Sequence, residues 1–265
     1  MNKETTSPDT IKEIDQKEQV EKITEEKPKE ESPKKDAFAL DIDEMAKAGL
    51  QFGHSTSRIN PKMKPYIIGI KGNIHIINLS KTIEKFREAL KFIEKLVAED
   101  KIILFVGTKV QIKPLIEKVA KECGFPYVNH RWLGGLITNF ETIRSSVEKL
   151  KELEERKAKK EFEKYTKKEQ AKIEKKLEEM NLRLTGIKNL ERLPDAIFIA
   201  DINKDDLAVI EARKKKIPVI AITDTNTDPT LVTFPIPAND DSITSVGYIL
   251  DKIKEVIKSV KANKK

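Results

Sequence analysis

The chain has 265 residues, a net charge of +7 and one cysteine, Cys123. One cysteine excludes an intramolecular disulfide and suits a reducing cytoplasm. The N-terminus, MNKETTSPDTIKEIDQ, has no signal-peptide-like apolar run, and no stretch approaches the roughly 20 apolar residues of a membrane span, so no membrane partner is expected.

Residues 1–36 carry 8 Lys against 11 acidic residues, which leaves the rest of the chain at +10. Such a tail cannot bury enough apolar surface to offset its ordering entropy and is read as disordered. The basic body suggests a polyanionic partner, although abundant Lys and Glu also mark thermophilic proteins. From Ala37 the pattern changes. Asp41 to Ala48 is expected as a short helix stopped by Gly49. SRINPKMKPYIIGIKGNIHIINL gives an extended loop, a strand near 66–70, a turn at Gly72-Asn73 and a strand near 74–78. Ile83, Phe86, Leu90, Ile93 and Val97 then share one helical face. KIILFVGT is a buried parallel strand, Ile112, Leu115, Ile116 and Val119 mark a helix ended by Gly124, and FPYV is a short strand. DAIFIAD, a helix over 204–215 and IPVIAIT form a further β-α-β unit, and a last helix spans about Asp241 to Ser259. This alternation predicts an α/β fold, Rossmann-like or flavodoxin-like, with a parallel sheet flanked by helices.

Residues 139–190 break the rhythm with 15 Lys or Arg and 11 Glu. Ile173, Leu177, Met180, Leu184 and Ile187 step by four, three, four, three, the heptad seam. Thr138 with Glu141 and Thr166 with Glu169 have capping-box spacing. The expectation is an inserted antiparallel coiled-coil hairpin, with helices at 139–164 and 167–182 and a tip at Tyr165-Thr166, projecting from the body. The domains are therefore a tail over 1–36, a body over 37–138 and 191–260, the hairpin over 139–190, and a basic C-terminal tail over 261–265.

Sites for chemistry are sparse. FVGTKVQIK has one glycine and no phosphate-loop pattern, which leaves Lys109 as a surface lysine near a helix start. Asp224, Asn226 and Asp228 imitate half a calcium loop, but the required Gly is Pro229 and the twelfth position is Pro235; a capped turn is the better reading. NDD at 239–241 is a helix cap. His54, His75 and His130 have no partner at ligand spacing, so no metal and no cofactor is expected. Cys123 is a small buried hydrophobe. RNA fits better. Arg58, Lys62, Lys64 and Lys71 surround Tyr66 in the proline-containing loop; an extended backbone would point Lys62 and Lys64 the same way. In NHRWLGGLITNF, Trp132 either stacks on a base or packs onto its own core.

AGLQFGHSTSRINPKMKPYIIGIKGNIHIINLSKT, FVGTK, NHRWLGGLITNF, LPDAIFIAD, EARKKKIPVIAITDTNTDP and PIPANDDSI, in this order, resemble signatures of the bacterial small-ribosomal-subunit protein S-two family over about 41–257. The resemblance implies a Rossmann-like body without nucleotide and an inserted coiled-coil hairpin. It also implies a place near the head–body junction, contact with small-subunit rRNA, and support for docking ribosomal protein S-one. The RNA-binding residues expected are Arg58, Lys62, Lys64, Tyr66, Lys71, Lys81, Arg131 and Arg144. Trp132, Gly134 and Gly135 would form a structural turn into the hairpin. Thr244 stands where the family usually has Arg, and Asn78 where it usually has Asp. The reading is a non-enzymatic ribosomal constituent with no small-molecule substrate. The alternatives are a nucleotide- or sugar-phosphate-binding enzyme using Gly107, Asp201 and Asp224, and a coiled-coil adaptor that binds only protein.

Overall fold

The computed structural model describes Phe38 and residues 40–264. The tail expected over 1–36 lies outside the described residues. Helix α1 (Ile42–Ala48) is capped by the Asp41 side chain and ended by Gly49 at φ +81. Strands β1 (Phe52–Ser55), β2 (Ile67–Lys71) and β3 (Ile74–Ile77) form a small antiparallel sheet in the order β1-β3-β2. Between β1 and β2, Pro61–Tyr66 is a 3-10 helix, which corrects the expected extended loop. Proline supplies a helix-compatible φ and needs no N–H at the first turn, and the Asn60 side chain accepts from Lys62 N to start it. Lys62 and Lys64 therefore do not share a side, because side chains eclipse every third residue here.

The second sheet is parallel. It holds β4 (Ile103–Val106), β5 (Tyr127–Val128), β6 (Ala196–Ile199), β7 (Val219–Thr223) and β8 (Phe234–Pro237) in the order β5-β4-β6-β7-β8. The helices are α2 (Leu79–Ala98), α3 (Lys113–Cys123), α4 (Phe140–Ala158), α5 (Lys167–Leu184), α6 (Asp206–Lys214) and α7 (Ile243–Asn263). The last begins two residues later than expected and runs four further. β4, β6 and β7 are buried at every position. Their alternation splits the core: Phe105, Phe198 and Ile222 pack with α1, α2, α3 and α7, while Val106, Ile199 and Ala221 pack with α6, Trp132 and the base of the helical pair α4–α5. Phe198→Ala would cost about 3–5 kcal/mol.

That helical pair is anchored as well as exposed. Val147, Leu150, Leu184 and Ile187 are buried in the core of the sheet. Further out, Lys157 of α4 pairs with Glu174 of α5 at 3.5 Å. α4 ends at Ala158, and Glu161–Lys164 is a separate 3-10 turn with Phe162 buried. The Thr166–Glu169 capping box is present. The one expected at Thr138–Glu141 is not. The helix starts from Asn139 without a side-chain cap, because Thr138 gives both its N–H and its hydroxyl to Glu211.

Candidate nucleic-acid interface

The turn into α4 is built on one carboxylate. Glu211, on α6, accepts from Trp132 Nε1 at 3.1 Å, Gly135 N at 2.8 Å, Ile137 N at 3.0 Å, and Thr138 N and Oγ1 at 3.1 Å each. Burial alone would raise its pKa, yet the hydrogen bonds from Gly135, Trp132, Thr138 and Ile137 hold it below the ordinary carboxylate value. Trp132 is 5% exposed, so it packs onto the core and offers no face to a base. Gly135 needs its φ of +89, whereas a Cβ on Gly134 would meet nothing within 4 Å. At the other end of the pair, a Cβ on Gly186 would lie 2.0 Å from the Tyr127 carbonyl oxygen, so only glycine lets the chain pass there.

At the carboxyl ends of the parallel strands, Lys109 is not the surface lysine its sequence context suggests. Its Nζ lies 2.8 Å from each of Asp201, Asp240 and Asp241. Desolvation would lower its pKa, but the charge of Asp240 and the hydrogen bonds to all three acids hold it above the usual lysine value. His54 bridges the same cluster, with Nδ1 3.0 Å from Asp224 and Nε2 3.3 Å from Asp241. The hydrogen bond to Asp224 raises its pKa against the opposing effect of burial. Burial, then repulsion from Asp201 and Asp224, pushes Asp240 up to about 7. His54, Asp224 and Asp240 each offer a potential ligand atom within 4.8 Å of one another, from separate elements. The calcium-like turn does not assemble: Asp224 faces His54, Asp228 caps Thr230 N, and Asn226 Oδ1 is buried without a partner. Asn239 accepts from Asp241 N and Ser242 N in the turn before α7, but the helix itself starts from Ser242 with no side-chain cap, so the cap expected at 239–241 is not formed. A Cβ on Gly107 would approach Ile116 to 2.7 Å, so that glycine admits α3.

The expected RNA-binding cations fall into two groups. Lys62 Nζ is bound to Asp228 at 2.7 Å and Thr230 Oγ1 at 3.0 Å, and with Thr230 it draws Asp228 down to about 2 despite desolvation. Lys81 donates to the Pro65 carbonyl, and Arg144 pairs with Glu148 at 3.2 Å. By contrast, Arg58, Lys64, Lys71 and Arg131 are exposed, and no ion pair involves them among the described residues. Tyr66, which ends the 3-10 helix, is half-buried. On α5, Lys168, Lys172, Lys175 and Lys176 follow the three-and-four spacing that gathers side chains on one face, and all four are exposed. Asn78 caps α2, and Thr244 donates to the Ala48 carbonyl oxygen.

A sequence profile of the family described as Ribosomal protein S2 matches residues 45–259. The chain belongs to the ribosomal protein S2 family. Among its relatives is Small ribosomal subunit protein uS2 of Koribacter versatilis, 47% identical over 82% of this chain and 72% of that protein. The protein of the same description from Dictyoglomus thermophilum is 47% identical over 81% of this chain and 87% of its own length. That from Petrotoga mobilis is 45% identical over 82% and 76%. The family is structural and not enzymatic, which sets aside the enzyme alternative. Among the described residues no helix is long and apolar enough to cross a membrane.

Proposed function

We propose that the chain is a structural constituent of the small ribosomal subunit, that it binds small-subunit rRNA near the head–body junction, and that it supports docking of ribosomal protein S-one. Family membership supports the first part. The RNA contact rests on the contrast among its cations: half-buried Lys109 is neutralised internally, while Arg58, Lys64, Lys71, Arg131 and the lysine face of α5 stay exposed to meet phosphates. Lys62 pins the loop to the turn at Asp228, and Lys81 braces it through Pro65. Residues 139–190 act as an inserted coiled-coil arm whose base is fixed in the core and whose outer part meets an rRNA helix.

The S-one reading rests on apolar exposure. Phe52 is 42% exposed, Ile68 69%, Ile70 60% and Ile74 41%, all on the small antiparallel sheet, where β2 is an edge strand. An apolar sheet with an unpaired edge suits a protein partner.

Sedimentation through a sucrose gradient with and without ribonuclease tests the ribosomal assignment: the chain is expected to co-migrate with small subunits and to be released by the nuclease. Lys64→Ala/Lys71→Ala should flatten the log–log salt dependence of rRNA binding by about 1.4–1.8 units. An unchanged slope would remove the loop from the interface. Ile68→Asp should weaken S-one capture and leave rRNA affinity intact.

A further inference from the structure

The parallel sheet has a topological switch, and three cations beside it have no ion pair among the described residues. β4 lies between β5 and β6. The helix after β4, α3, packs on one face of the sheet through Ile116, Val119 and Ala120, and the helix after β6, α6, packs on the other through Ala208, Val209 and Ala212. The two connections therefore part above the strand ends, which is where open α/β sheets hold ligands. A cavity of about 500 Å³ occupies that place, within the range of about 300–1,000 Å³ common for ligand sites. Lys113, His130, Arg131, Lys204, Asp205 and Asp206 are among the residues that line it.

Lys113, Arg131 and Lys204 have no ion pair among the described residues. Burial first, then the charges of Lys113 and Arg183, hold His130 below its ordinary pKa. Of the acids, Asp205 is buried against Thr108, accepting from its N–H at 3.3 Å and from its hydroxyl at 2.8 Å; Asp206 accepts from Leu207 N at 2.7 Å. Cations thus outnumber the one exposed carboxylate. Trp132 borders the cavity, but its Nε1 is held by Glu211 and its ring is buried, so Trp132 offers no stacking face to a base.

We propose that this crevice seats a phosphodiester of the small-subunit rRNA backbone, with Lys113, Arg131 and Lys204 around the phosphate. The proposal rests on the rRNA-binding reading above and adds to it a site at the carboxyl ends of β4 and β6, lined by residues outside the proline-containing loop and the hairpin tip.

The test compares the full chain, Lys113→Ala/Lys204→Ala and Lys64→Ala/Lys71→Ala for binding to labelled small-subunit rRNA across a KCl series. Circular dichroism melts confirm that each variant folds. The crevice variant is expected to bind about tenfold or more weakly, with a slope shallower by about 1.4–1.8 units, the loss of two phosphate contacts. If the unaltered chain binds and the crevice variant keeps its affinity and slope, the crevice proposal is overturned while rRNA binding stands. If the unaltered chain binds no rRNA, both fall. A second arm measures melting with millimolar inorganic phosphate and AMP, for which no shift is expected. A rise of several degrees with AMP, absent in the crevice variant whose rRNA affinity is unchanged, would make this a mononucleotide site and overturn the proposal.

Discussion

Two parts of the same sheet edge handle charge in opposite ways. Around Lys109 and His54, four carboxylates converge and two bases answer them within 2.8–3.3 Å. Around Lys113, Arg131 and Lys204, also at the strand ends, cations line a cavity and no acid pairs with them among the described residues. A charge taken out of water must find a partner inside the molecule, whereas an exposed one can wait for an external partner. The first cluster is therefore an internal clasp joining β4, β6 and β8 to the start of the chain's body. The second is the surface proposed above for an rRNA phosphate.

Three measurements break or sharpen that contrast. Lys109→Ala removes one ammonium from three carboxylates, two of them buried, and should cost about 3–5 kcal/mol, roughly 10 °C in Tm at this size. A melting temperature left unchanged would mean that the clasp does not depend on its lysine.

The pH dependence comes next. Asp240 and His54 are both raised when folded, so each holds protons the unfolded chain has lost. Asp240's contribution is fully present below about 3.8 and lost as pH rises through about 7. That of His54 is present below 6.5 and lost as pH passes its folded value. Stability from these two groups should fall as pH rises from about 4 through 7, and Asp240→Asn should flatten that fall. A melt series that rises over this interval would contradict the coupling. Smallest of all, Lys113→Ala/Lys204→Ala should move Tm by about 1 °C or less, since neither side chain is paired.

Much of the architecture was legible because buried parallel strands are written as uninterrupted apolar runs, as at residues 103–106, 196–199 and 219–223. β8 was missed: Phe-Pro-Ile-Pro reads as a breaker, and it is tolerated because β8 is the sheet's edge strand. β1, four residues around a glycine, left no run to read. The site was less legible. Exposed Arg58, Lys64, Lys71 and Arg131 could be named from local composition. Lys109 and His54 could not, because their partners lie 92–187 residues away and no local spacing encodes them. Thr138 misled for the same reason: a capping-box pattern is local, and Glu211 competes for its hydroxyl from 73 residues away.

Glu211 also sets an order of events during synthesis. The segment that gives it hydrogen bonds leaves the translating ribosome first, and for Gly135 the acceptor follows 76 residues later. At about 5–20 residues per second that interval lasts roughly 4–15 s. Meanwhile α4 and α5 emerge complete and can pair by local contacts, while β4 waits with one edge uncovered until β6 appears. The arm can therefore take shape before its socket, and the arrival of α6 fixes it to the body.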